Sequence, residues 1–273
     1  MLPPLLLLVL FLAPANPFFL APQPALLHSA LHSAPNTELT SNPPASPPAA
    51  NLDSFTVPSI LDGHPLTVYA PKTTPSTPSD RTPILLLHGR TWSALSVYNL
   101  EPSPTIESFP ASFAAYTMDF RGFGATPCDE SNFVSPSKCV ADIDAVVTHL
   151  CGVHGVEKIT IVGWSQGALT AQLYAQANPS KVDKLVLYAS IYDPDLTYMR
   201  PSVFYTDTSF PRTLNTLTGA LEDFTLPGTI DHETAMRFAT LALKIDPVKA
   251  HWSQLHEFNL LSPAQVRKKA AVA

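Results

Sequence analysis

Three runs of the 273-residue chain, Pro83 to Gly89 (PILLLHG), Lys158 to Trp164 (KITIVGW) and Lys184 to Tyr192 (KLVLYASIY), are almost continuously apolar. A strand with one face in water alternates apolar and polar residues, whereas a strand apolar throughout has to be covered on both faces. Helical patterns separate these runs. Ser135 or Ser137 caps a segment whose apolar residues recur at Val140, Ile143, Val147 and Leu150, and Ser165 to Pro179 (SQGALTAQLYAQANP) reads as a second helix, stopped by Asn178-Pro179. A further strand is expected near Ala114 to Asp119. An antiparallel pair, SFTVPS and PLTVYAP, is expected around the Asp62-Gly63 turn. Strands and helices in this alternation specify a doubly wound, mostly parallel α/β sheet.

The first fifty residues stand outside that pattern, holding 11 of the 29 prolines. Leu5 to Ala13 (LLLLVLFLA) has the length of a signal-peptide apolar region, and Ala13-Pro14-Ala15 offers small residues for cleavage. Two readings stand: a secretory signal, which sends the protein into the secretory pathway or outside the cell, and a cytoplasmic chain with a disordered N-terminus. No Lys or Arg precedes the apolar run and no glycosylation acceptor occurs, which weighs against the first. Membrane contact is expected only through this segment, because prolines 3, 4, 14 and 17 interrupt a spanning helix. Residues 1–20 are therefore assigned to a signal-like segment and 21–53 to a proline-rich, disordered linker.

Between KITIVGW and the helix that follows lies Gly163-Trp164-Ser165-Gln166-Gly167, a G-x-S-x-G match. Such a match arises often by chance; its position after a buried strand and before a helix is what marks a nucleophile elbow. Gly163 and Gly167 leave room for the tight turn, and the helix start aims free N–H groups at the serine. With the N–H of Gln166, that of Arg90, in the loop after the first buried strand, is the expected oxyanion pair, each donor contributing ~3 to 4 kcal/mol in a transition state. His88 is expected to close a turn rather than act as a base, and Asp119 and Arg121 to brace a glycine-rich loop.

Charge and cysteine content narrow the function classes. The net charge is -6 and no basic block exceeds Arg267-Lys268-Lys269, so nucleic acid is not an expected partner. Cys128, Cys139 and Cys151 lack C-x-x-C spacing; they are read as thiols, with Cys128 and Cys139 able to bridge in a secreted chain. His251 and His256 are five apart, off the spacing that puts two ligands on one helix face, and neither metal nor cofactor is expected.

The segments LLLHGRTWS, MDFRGFGATP, GWSQGALTAQLYAQANP and KLVLYASIYDP, in this order, resemble the α/β-hydrolase family from about Phe55 to Asp195. The resemblance implies an α/β-hydrolase core over 54–193, a helical cap over 194–260, and esterase- or lipase-like hydrolysis of a small acyl substrate through an acyl-serine at Ser165. Dehalogenases and epoxide hydrolases of this fold carry aspartate in place of that serine. The family's order is serine, acid, histidine, with the last two after strands that follow the cap; some relatives place the acid just after the LVLYASIY strand instead, which makes Asp193 the candidate acid. Of the histidines after Ser165, only His232, His251 and His256 are available, within or ending the cap. Residues 261–273 resemble the start of a further core strand, so the family's C-terminal strands are expected to be missing. That leaves Lys184 to Tyr192 as an open edge for self-association or a partner protein. The alternative to a serine hydrolase is thus an inactive pseudo-hydrolase, or a truncated fragment, acting through protein contacts.

Overall fold

A computed structural model describes residues 7–9, 50–72, 81–190, 214–224, 228 and 230–252. In β4 (Thr82–Leu87) the pleat sends neighbouring side chains to opposite faces: Leu85 and Leu87 join one core cluster, Ile84 and Leu86 another. Both faces are covered, as the apolar run requires. The first cluster takes Val146 and Leu150 from α2 (Pro136–His154) and Ala168 and Ala171 from α3 (Gln166–Ala177). The second takes Ala94 and Leu95 from α1 (Ala94–Tyr98).

The sheet has seven strands in the order β1-β8-β7-β4-β5-β3-β2, with β1 (Leu7–Val9), β2 (Leu52–Pro58), β3 (Pro65–Pro71), β5 (Phe113–Met118), β7 (Ile159–Trp164) and β8 (Val182–Tyr188). Strands β2 and β3 form the expected hairpin and β3 pairs antiparallel with β5; the remaining pairings are parallel. The doubly wound α/β architecture read from the sequence is the one observed.

Local signals account for the helix ends. Ser135, not Ser137, caps α2, its hydroxyl accepting the Lys138 N–H at 3.3 Å, and Gly155 closes the helix at φ 63°. Past the core, α4 (Leu217–Leu221) and α5 (His232–Ile245) bring Ala220, Phe238, Ala239 and Ala242 against Trp92, in the loop after β4. A separate parallel pair joins β6 (Phe133–Val134) to β9 (His251–Trp252). These short elements, and α1, escaped the sequence reading because two to five residues show no period.

One expectation is corrected. The edge of β8 is not open: Leu7, Leu8 and Val9 pair with Leu185, Val186 and Leu187. The apolar run at residues 5–13 is itself β-capable in sequence, and Leu7–Val9 supply the backbone donors and acceptors that the bare edge would lack. Strand β8 also ends at Tyr188 rather than Tyr192. The rest of the signal-like segment, most of the linker, Asp193, His256, much of the assigned cap and residues 261–273 lie outside the described residues. Cys128, Cys139 and Cys151 form no disulfide. Among the described residues no helix is long and apolar enough to cross a membrane.

Candidate active site

Ser165 stands between the end of β7 and the start of α3 with φ 53° and ψ -117°. That conformation is disfavoured for a residue with a Cβ, costing about 1–3 kcal/mol, and persists only where the surroundings hold it. Here the Ser165 N–H donates to the Tyr188 carbonyl at 2.9 Å, and the Ser165 carbonyl accepts from Ala168 and Leu169 at 3.0 and 3.3 Å. The packing needs its glycines. A Cβ on Gly163 would lie 2.6 Å from the Ala168 Cα, and one on Gly167 would run into the carbonyl oxygens of Leu87 and His88. The elbow is therefore wedged between the C-terminal ends of β4 and β8, and Ser165 is only partly buried.

The loop after β4 lies directly against it. A Cβ on Gly89 would come within 2.9 Å of the Trp164 ring and 3.4 Å of the Ser165 Cβ. Arg90 is the next residue, so the structure brings the two expected oxyanion donors to adjoining segments. The Gln166 N–H, at the first position of α3, is one of those a helix leaves without an internal partner.

His88 does not serve this serine. Its Nε2 accepts from the Phe120 N–H at 3.0 Å, so Nδ1 carries the proton and donates it to the Gly89 carbonyl at 2.8 Å. Burial pushes its pKa down to about 4. The ring, packed on Phe120 and Phe123, is a neutral strut. Among the histidines whose side chains are described, none is hydrogen-bonded to Ser165: His64 contacts the Pro127 carbonyl, His154 the Tyr116 hydroxyl, His149 stacks on Phe55, and His232 opens α5 in solvent.

Asp119 and Arg121 brace the glycine-rich loop, as expected. Arg121 is buried and holds Asp142 through Nε and Nη2 at 2.7 and 2.6 Å, and Asp62 and Asp129 through Nη1 at 2.7 and 3.0 Å. Asp119 accepts from the Ala94 N–H, the Tyr69 hydroxyl and the Ala125 N–H at 2.9, 2.8 and 3.0 Å. Burial, helped by the nearby Asp246, pushes its pKa up to about 7.

Asp246, which ends α5, is the residue the sequence reading missed. One carboxylate oxygen accepts the Ser93 N–H and the other the Gly124 N–H, both at 2.8 Å, so it ties α5 to the loop after β4 and to the glycine-rich loop. Burial raises its pKa. An acid ending an apolar helix just before Pro247 was the available signal. Trp92 adds a second tie, donating its Nε1 proton to Asp223 at 2.8 Å. A cavity of about 240 Å³ opens between this glycine-rich loop, β6 and residues 245–250, and Ser165 does not line it.

Residues 78–237, more than half of the chain, match the family model Hydrolase_4, described as serine aminopeptidase, S33. The chain belongs to this family of α/β hydrolases. No curated protein matches it. Among solved structures the hydrolase is similar to a Vigna radiata epoxide hydrolase mutant, at 20% identity and TM-score 0.42 over 54% of this chain and 42% of that one. It is also similar to an α/β hydrolase from Novosphingobium aromaticivorans, at 24% identity and TM-score 0.40 over 51% and 44% of the two chains. A thioesterase domain from the curacin biosynthetic pathway aligns at 15% identity and TM-score 0.48 over 78% and 74%. This chain thus spans less than half the length of the first two of these chains.

Proposed function

We propose that the protein is a serine hydrolase that cleaves a small ester-like acyl substrate through an acyl-enzyme at Ser165. The strained backbone of Ser165, between a buried strand and a helix start, carries this reading. In the attack, the Ser165 oxygen adds to the carbonyl carbon and its proton passes to a base. The carbonyl oxygen becomes anionic and takes the N–H groups of Gln166 and Arg90. Collapse expels the alcohol, thiol or amine with that proton, and water releases the acid by the reverse sequence. None of the histidines whose side chains are described is hydrogen-bonded to Ser165; Asp193 remains the candidate acid, and His232, His251 and His256 the candidate histidines to test. The family description makes an aminoacyl amide the competing substrate class.

A fluorophosphonate probe is expected to label Ser165, and Ser165→Ala to abolish both labelling and turnover of p-nitrophenyl esters. What survives should be at most the ~10³–10⁴-fold over water that binding and oxyanion donors sustain alone. Faster cleavage of aminoacyl p-nitroanilides than of esters would move the substrate class to amides. A folded, unlabelled chain would overturn the serine reading in favour of a non-catalytic one.

A further inference from the structure

Strand β8 carries the elbow on one side and an apolar edge on the other. Toward β7 it pairs Leu187 with Gly163 and Tyr188 with Trp164, and its Tyr188 carbonyl holds the Ser165 N–H at 2.9 Å. Toward the edge, Leu185, Val186 and Leu187 pair in parallel with Leu7, Leu8 and Val9. With that strand in place Leu185 and Leu187, on one face of β8, are 4% exposed, while Val186 on the other face is half-buried. A strand added to this edge needs an uninterrupted backbone ladder and apolar side chains beside Leu185 and Leu187, and Leu5 to Ala13 is nine apolar residues without a Gly, Pro or charge.

We propose that the β8 edge is a docking site whose occupant is the chain's own apolar N-terminal run, which closes the sheet as its outermost strand. One segment then has two competing fates, as a removable leader or as a structural strand. Cleavage after Ala15 would take the strand away, uncover the Leu185–Leu187 backbone and leave an adhesive edge, which a second copy of the chain would cover by strand addition. It would also withdraw the outer support of the strand that anchors the elbow.

Hydrogen exchange read by mass spectrometry tests this on the full chain, independently of any activity at Ser165. In the unaltered protein the amides of Leu7–Val9 should be protected; free exchange there overturns the proposal. Proline lacks the N–H a ladder needs, so the double substitution Leu8→Pro, Val9→Pro removes whichever donor faces β8. Exchange over Leu185–Leu187 should rise by roughly tenfold or more while β4 and β5 stay protected, as expected for local opening. Sedimentation should show concentration-dependent self-association of the double variant, and Leu8→Ile should restore the parent pattern. Unchanged exchange over Leu185–Leu187 in the double variant would overturn the assignment.

Discussion

Two buried clusters of carboxylates flank the same glycine-rich loop and solve the cost of burial in opposite ways. Around Arg121 the charges are compensated: Asp142, Asp62 and Asp129 share one guanidinium, and the hydrogen bond from Arg121 holds the Asp62 carboxyl below its usual range. Around Asp119 no cation is present among the hydrogen-bond partners, which are backbone N–H groups and the Tyr69 hydroxyl. Burial therefore wins there and lifts Asp119 to about 7, with Asp246 adding its own negative field. An ion pair makes the first cluster insensitive to pH near neutrality. Hydrogen bonds alone leave the second one titratable, in the segment that positions the loop beside Ser165.

Breaking the compensated cluster should cost most. Arg121→Leu leaves Asp142 fully buried without its partner, and a buried charge stripped of its counter-ion costs about 3–5 kcal/mol. Urea unfolding should show that loss at pH 7. A loss below about 1 kcal/mol would mean that water or Lys138, which already reaches Asp129, takes over the role of the guanidinium.

The uncompensated cluster should instead show itself as a pH dependence. Asp119 is an acid whose folded pKa is raised, so the folded state binds the proton more tightly than the unfolded one. Its contribution is present in full below the model-peptide value of 3.8 and is lost as pH rises to about 7, after which it stays lost. Protonation is accommodated because the Tyr69 hydroxyl can turn to accept the proton that Asp119 then donates. Asp119's own share, read as the parent profile minus that of Asp119→Asn between pH 4.5 and 7.5, should therefore fall by a few kcal/mol as pH rises. The depressed His88 acts in the opposite sense, adding stability as pH rises from about 4 toward its ordinary 6.5, so the subtraction is what isolates Asp119. The depressed carboxyl of Asp62 acts in the reverse sense, contributing above its unfolded pKa and losing that contribution only as the solution becomes more acidic.

How far the sequence foretold this depends on the length scale of the signal. Continuous apolar runs placed β4, β7 and β8, and the 3.6-residue period with a serine cap placed α2, since each extends over six residues or more. The elbow was legible because G-x-S-x-G encodes a steric demand that Gly163 and Gly167 visibly meet. The closure of the β8 edge was not, because pairing between residues 178 positions apart in sequence leaves no local trace (Leu7 with Leu185). Asp246 was missed for the same reason: its partners, Ser93 and Gly124, are 153 and 122 residues away.

The smallest effect expected is also the one that joins the two clusters' logic to the site. Asp246→Asn keeps the shape but replaces one accepting oxygen with an NH₂ group, which then faces a backbone N–H, either of Ser93 or of Gly124. Leaving that donor unsatisfied should cost about 1–3 kcal/mol. Removing the negative charge should at the same time lower the pKa of Asp119, because the field of Asp246 is one of the causes that raise it. Asp119's share of the slope should accordingly end at a lower pH in Asp246→Asn than in the parent, and the double variant with Asp119→Asn should lose that share altogether. If the slope keeps its position, the two carboxylates are electrostatically independent, and burial alone sets Asp119. Should fluorophosphonate labelling of Ser165 also slow in Asp246→Asn, its ties to Ser93 and Gly124 would count as positioning the loop that carries Arg90.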